Sequence, residues 1–380
     1  LNSAVLKTSG NDETVGVSME PNTSSKTTTL KTYNDTLIES PAQGILTGVG
    51  KTSISLSGNT HIASTGSNAI QQDEGTISVG NANIVVEGAN YAISKNAGNL
   101  TISGGLIKGA TGAIENTGVD KISTKLSSSG GVFSSDISDA CNITTTYSVV
   151  QVGNEFYGSY TGTDAVASIG DAKYQKISPL NGALHSSEAD SFEVTLLSDG
   201  DGPSLTPYDD VVLDLNGFTL ELTSGNSLEL DGISVEITGS GTLKASAITI
   251  LGSDNSDAKN YSTLKIGENV TVNVTNAIII GEADRPHGYG VVVDIDGKID
   301  ASTEQGSKPP QGITVNGTLK DTTGNTAVIN VNGEILAVNN SYGIYAAGYA
   351  TWNIYGKVSG GTGIEIRAGN VNVYEGSTIA

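Results

Sequence analysis

A pattern written twice near the C-terminus restricts what this chain can fold into more than any other feature. Gly343-Ile344-Tyr345-Ala346 is answered by Gly363-Ile364-Glu365-Ile366, and Asn353-Ile354-Tyr355 with Val358 is answered by Asn372-Val373-Tyr374 with Ile379. The period is about twenty residues. Apolar and polar residues alternate inside each run, as in a short strand with one buried face, and Gly or Asn separates the runs. A unit this small encloses no core alone and must stack on its neighbours. The chain therefore reads as a solenoid.

The same arrangement is legible upstream. Gly44-Ile45, Ala69-Ile70, Ala92-Ile93 and Ala113-Ile114 recur at intervals of 25, 23 and 21 residues. A second strand follows at Ile54 and Leu56, Ile77 and Val79, Leu100 and Ile102, and Ile122, and a third near Ile62, Ile84, Ile107 and Val132. Three short strands per turn, repeated, predict an all-β parallel β-helix, in which like strands of successive turns stack about 4.8 Å apart over ladders of Ile, Val and Ala. With 49 Gly and only 8 Pro, the chain is suited to many tight turns, and its Ile and Val far outnumber its aromatics, which favours strands. The best helical spacing is at residues 178–187, where Leu180, Ala183 and Leu184 share one face.

These signals predict four segments: residues 1–41, an entry or capping segment; 42–135, a first array; 136–208, a connecting hairpin and helical cap; and 209–380, a second array. The cap helix is placed to cover the open end of the second array, where strand edges and core would otherwise meet water. Residues 281–289 and 302–311 are expected as protruding loops, and glycines 297, 317, 333, 356 and 376 as turn markers. The opening at Leu1 and the stop in mid-pattern at Ala380 read as the ends of a mature or excised fragment.

Three runs carry a family resemblance. They are Ala165-Val-Ala-Ser-Ile-Gly-Asp-x-x-Tyr174, Val194-Thr-Leu-Leu-x-Asp199 after the helix, and Leu213-Asp-Leu-Asn-Gly-Phe-Thr-Leu220. Together they resemble the start of a repeating module in bacterial cell-surface proteins, and Gly130-Gly-Val-Phe-Ser-Ser-Asp136 resembles the end of the preceding one. Such modules are similar to the pectin-lyase-like superfamily of right-handed parallel β-helices. The resemblance implies a secreted or surface-attached bacterial protein, with host or dietary glycans or host surface proteins as partners. It does not imply an enzyme.

A net charge of −21 repels phosphate backbones and argues against nucleic-acid partners. Cys141 is the single cysteine, which excludes an intrachain disulfide and a Cys-based zinc site. No apolar run approaches the roughly 18 residues that read as a membrane span. Gly44 to Thr52 approximates a phosphate-binding loop but is one residue too long, and such a loop needs a helix after it.

Polygalacturonase-like chemistry needs three convergent aspartates with a His-Gly and an Arg-x-Lys, to supply a general acid and an activated water. Asp209-Asp210 and His287-Gly288 are present without the rest, and a lyase base would have to come from Arg285 or Arg367. A lyase or hydrolase thus remains an alternative function. Alternation turns Asp294 and Asp296 outward from one strand, a pair able to hold Ca²⁺ with help from backbone carbonyls, and Asp199 and Asp201 form a second pair in a loop. Solvated acids are the competing reading for both.

The same parity sends Tyr345, Asn353, Tyr355, Arg367, Asn372 and Tyr374 outward and Trp352 inward. Tyr355 should stack on Tyr374 and Asn353 on Asn372, giving aromatic and amide ladders that either bind sugar rings or simply stabilise the sheet. The expectation is a non-enzymatic adhesion or glycan-binding protein, with a spacer displaying other domains as a further alternative.

Overall fold

A computed structural model describes residues 1–10, 13–21, 26–80, 83–118, 123–252, 262–281, 290–303, 309–316 and 327–380. The chain divides into two compact units, Leu1–Glu188 and Ala189–Ala380. Each is built on a three-faced parallel β-helix.

In the first unit the alternating residues of short strands place one or two apolar side chains per face per turn inside. One face stacks Val5–Lys7, Thr36–Ser40, Thr60–Ser64, Ile84–Gly88 and the distal halves of Asn99–Gly109 and Thr124–Phe133. A second stacks Val17–Met19, Ile45–Thr47, Ile70–Gln72, Tyr91–Lys95 and Gly112–Asn116. The third stacks Thr28–Lys31, Thr52–Leu56, Thr76–Val79 and the proximal halves of the two long strands. The Ile45, Ile70, Ile93 and Ile114 ladder forms in register and is buried throughout.

One expected ladder is shifted. Ile62 pairs with Val86 and not Ile84, and the row continues through Ile107 to Phe133. Ile84 and Val86 are both inward and fully buried, so parity alone does not separate registers two residues apart. Ile122 lies outside the described residues. Strands also begin earlier than residue 42: those at Val5, Val17 and Thr28 already pair as a turn of the array.

The interior is not wholly apolar. Thr47, Gln72 and Lys95 stack at one inward position, all essentially buried, and Lys95 donates to Ser123 Oγ at 2.9 Å. Cys141 is buried nearby, where Lys95's charge reaches it.

The array ends as the chain reverses. Val132 and Phe133 pair antiparallel with Tyr157 and Phe156 of the strand Glu155–Tyr160, which forms a hairpin with Tyr147–Val152. The helix spans Ile177–Ser186 and buries Leu180, Ala183 and Leu184. It packs on Asn99–Gly109 and Thr124–Phe133, where Gly130 and Gly182 bring the two backbones close. The expectation placed this helix over the second array; the structure packs it on the first.

In the second unit, one face stacks Ser191–Leu196, Asp210–Asp214, Ser234–Thr238, Thr263–Ile266, Val292–Ile295, Ala327–Val331, Ala350–Ile354 and Asn370–Val373. Its inward ladder runs Val211, Val235, Leu264, Val293, Ile329, Trp352 and Val371. Trp352 is fully buried, as its parity predicts. The twelve-residue strands Ser240–Leu251 and Asn269–Ile280 each turn a corner and serve both remaining faces, with a register shift at the bend.

A column of glycines marks another corner. A Cβ on Gly297, Gly333 or Gly356 would collide with the carbonyl oxygen of the glycine one turn earlier, at 267, 297 and 333 respectively, so only glycine fits. Gly317, residues 282–289 and 304–308 of the two expected loops, Arg285 and His287 lie outside the described residues.

Candidate functional site

The outer surface of that eight-strand face carries a strip two residues wide and four turns long. Residues flanking each inward apolar side chain point to solvent, and in-register pairing stacks them. Asp294, Asn330, Asn353 and Asn372 form one column. Beside it, Asp296, Asn332, Tyr355 and Tyr374 follow the paired residues Ile295, Val331, Ile354 and Val373.

Hydrogen bonds run along the first column in one direction. Asn330 Nδ2 donates to Asp294 Oδ1 at 2.7 Å, Asn353 Nδ2 to Asn330 Oδ1 at 2.8 Å, and Asn372 Nδ2 to Asn353 Oδ1 at 2.9 Å. An ionised carboxylate only accepts, so Asp294 sets the orientation of every amide stacked above it. All the donors point towards the acid end, and the carbonyl of Asn372 is left at the other. In the second column Asn332 Nδ2 donates to Asp296 Oδ1 at 2.7 Å. Among the described residues these amides make no further side-chain hydrogen bond, which leaves each an N–H and a carbonyl lone pair unused by the ladder.

The rings of Tyr355 and Tyr374 stack with centroids 4.1 Å apart and planes 12° from parallel, and are 45% and 42% exposed. A hydrogen bond with Tyr374 holds the Tyr355 phenol above its ordinary pKa. The stacking closes the two facing ring surfaces to any ligand. What remains is the outer face of the stack, the ring edges and the hydroxyls.

Tyr345 and Arg367 belong to a different face. Tyr345 is paired in register with Thr314 and Glu365 and its ring lies 5.3 Å from that of Tyr342. The Arg367 guanidinium sits 5.2 Å from the Tyr345 ring centroid, and its Nε donates to Glu365 Oε1 at 3.1 Å. The six residues singled out from the sequence thus fall into two patches, four on the strip and two elsewhere. Asn330 and Asn332, which link the acids to the tyrosines, were not singled out. Their signal is the repeated two-residue spacing of Asp294 and Asp296, Asn330 and Asn332, and Asn353 and Tyr355.

Other acidic candidates serve the turns. Asp199 Oδ1 accepts the Thr219 N–H at 2.8 Å, and Asp210 Oδ1 accepts that of Ser234 at 2.7 Å. Partial burial, then Asp190 and Asp210, raise the Asp209 carboxyl above its usual pKa. Among the described residues no three Asp, Glu, His or Cys side chains converge on a point suited to a metal ion. Thr52 at the end of the phosphate-loop-like run opens the strand Thr52–Leu56, so the helix that such a loop requires is absent. That run borders an open depression of about 610 Å³ with Glu74 and Asn99 on its wall. No described helix is long and apolar enough to cross a membrane.

No family model, curated protein or solved structure matches this chain.

Proposed function

We propose that this chain is a non-enzymatic, secreted or cell-surface β-helix protein of bacterial type, related to the pectin-lyase-like modules it resembles, which binds glycans. The observation that carries the reading is the two-column strip. Aligned amides at three of its four turns offer a donor and an acceptor at the strand spacing of about 4.8 Å, suited to a row of sugar hydroxyls. Tyrosine hydroxyls and an aromatic face border that row. Such a strip suits an extended chain lying along the solenoid better than a small molecule, which needs an enclosing pocket.

A glycan array tests this. The wild type is expected to bind a subset of polysaccharides, and Tyr355→Ala with Tyr374→Ala is expected to weaken that binding about tenfold or more while the circular dichroism spectrum is retained. Absence of any glycan binding by the wild type would overturn the reading. It would leave the spacer, which the closed faces of the tyrosine stack favour, since a ladder that satisfies itself also stabilises the sheet.

A further inference from the structure

We infer that the strip is selective for amine-bearing glycans, polymers whose sugars carry free ammonium groups. This rests on the glycan reading above and adds the charge of the ligand. The face itself carries a surplus of acids. Its strands and the residue after Ile295 supply Glu193, Asp210, Asp214, Glu236, Asp294 and Asp296, while Lys265 is the only cation in the eight strands. Lys265 is already committed, with Nζ 2.7 Å from Glu236 Oε1, although it also feels Asp296 and Asp294.

The neighbouring face behaves differently, which shows that the surplus is local. There Lys244 pairs with Glu221 at 3.3 Å, Lys357 with Glu334 at 2.7 Å and Lys298 with Asp300 at 2.9 Å. Three acids on that face thus bind a cation one turn away or on the same strand. Asp294 faces Lys265 one turn away, but that ammonium is held by Glu236, and Asp294 and Asp296 accept hydrogen bonds from neutral amides.

The column also has a polarity of its own. Asp294 and Asp296 each have one oxygen engaged by an amide, and among the described residues no hydrogen bond reaches the other. At the far end the strip terminates in the Asn372 carbonyl and the outer face of the tyrosine stack. Carboxylate, carbonyl and aromatic face all attract a cation and a donor, and none attracts an anion. A ligand bearing an ammonium on successive sugars can address both ends of the strip with charge-assisted contacts, whereas a neutral sugar chain makes only neutral-donor hydrogen bonds and stacking there.

Titration of the intact chain with oligomers of glucosamine, N-acetylglucosamine and glucose at low and high salt tests this. Glucosamine oligomers are expected to bind tightest, to lose affinity with salt, and to bind about tenfold more weakly to Asp294→Asn with Asp296→Asn. Each introduced amide retains a carbonyl for its Asn partner, so the ladder persists in this variant. Equal or tighter binding of the acetylated or glucose oligomers would overturn the inference while leaving the glycan reading intact. Glucosamine binding that the double variant does not weaken would also overturn it, since attraction to the overall charge of −21 would then suffice. If no oligomer binds, both readings fall together.

Discussion

Cys141 shows how one residue reports the state of a whole array. Burial pushes its thiol up to about 12, against the opposing charge of Lys95. A group whose folded pKa lies above its unfolded value contributes stability that is fully present below the unfolded value and lost as pH rises through the folded one. The first unit should therefore hold its stability up to about pH 9 and lose part of it between there and about pH 12, the thiol's ordinary and shifted values. Buried Tyr157 and Tyr174, whose phenols are also raised, act in the same direction. The expected outcome is a falling urea midpoint over that range, with negligible labelling of native Cys141 by a disulfide reagent at pH 8; fast labelling of the native chain would contradict the burial. Nothing in the sequence announced this environment. Gln72 and Lys95 occupy inward positions that the alternation assigns to apolar side chains, and a polar residue at such a position is visible only once the turns are stacked.

At the scale of the element, corners decide the register. The glycine column at 267, 297, 333 and 356 lets each turn's backbone approach the last, and Gly333→Ala would press a methyl against the carbonyls of Gly297 and Asp296. Its cost is expected to be about 1–3 kcal/mol, read as a lowered denaturation midpoint followed by fluorescence of Trp352, the chain's only tryptophan. An unchanged midpoint would mean that the corner relaxes freely. Much of the strand pattern was legible because alternation and turn residues agree, as at Ile45, Ile70, Ile93 and Ile114. Where two adjacent inward residues were equally apolar, as at Ile84 and Val86, sequence could not choose between registers. The helix was legible from Leu180, Ala183 and Leu184, but its partner was not, because Gly130 and Gly182 acquire meaning only as a contact between backbones. On the strip, stacking of Tyr355 on Tyr374 follows from the last two repeats, whereas Asn330 and Asn332 stand in a turn that precedes both copies of that pattern.

At the scale of the molecule, two three-faced solenoids keep their apolar ladders inside and leave their chemistry on outward columns. Stability in such an array is close to a sum over turns and the interfaces between them, so outward residues are free to vary while inward ones are not. That separation is what lets one face of the second unit accumulate acids, amides and tyrosines without disturbing the ladder from Val211 to Val371 beneath them. The central claim is that this strip, and not the Tyr345 and Arg367 patch or the depression beside Lys51, contacts glycan. The most direct measurement is a titration of the chain, isotopically labelled on its tyrosine rings, with glucosamine oligomers, using Tyr355→Phe and Tyr374→Phe to assign the signals by nuclear magnetic resonance. The account predicts that the ring signals of Tyr374 and Tyr355 shift with ligand while those of Tyr342 and Tyr345 stay in place; shifts confined to Tyr342 and Tyr345, or none at all, would contradict it.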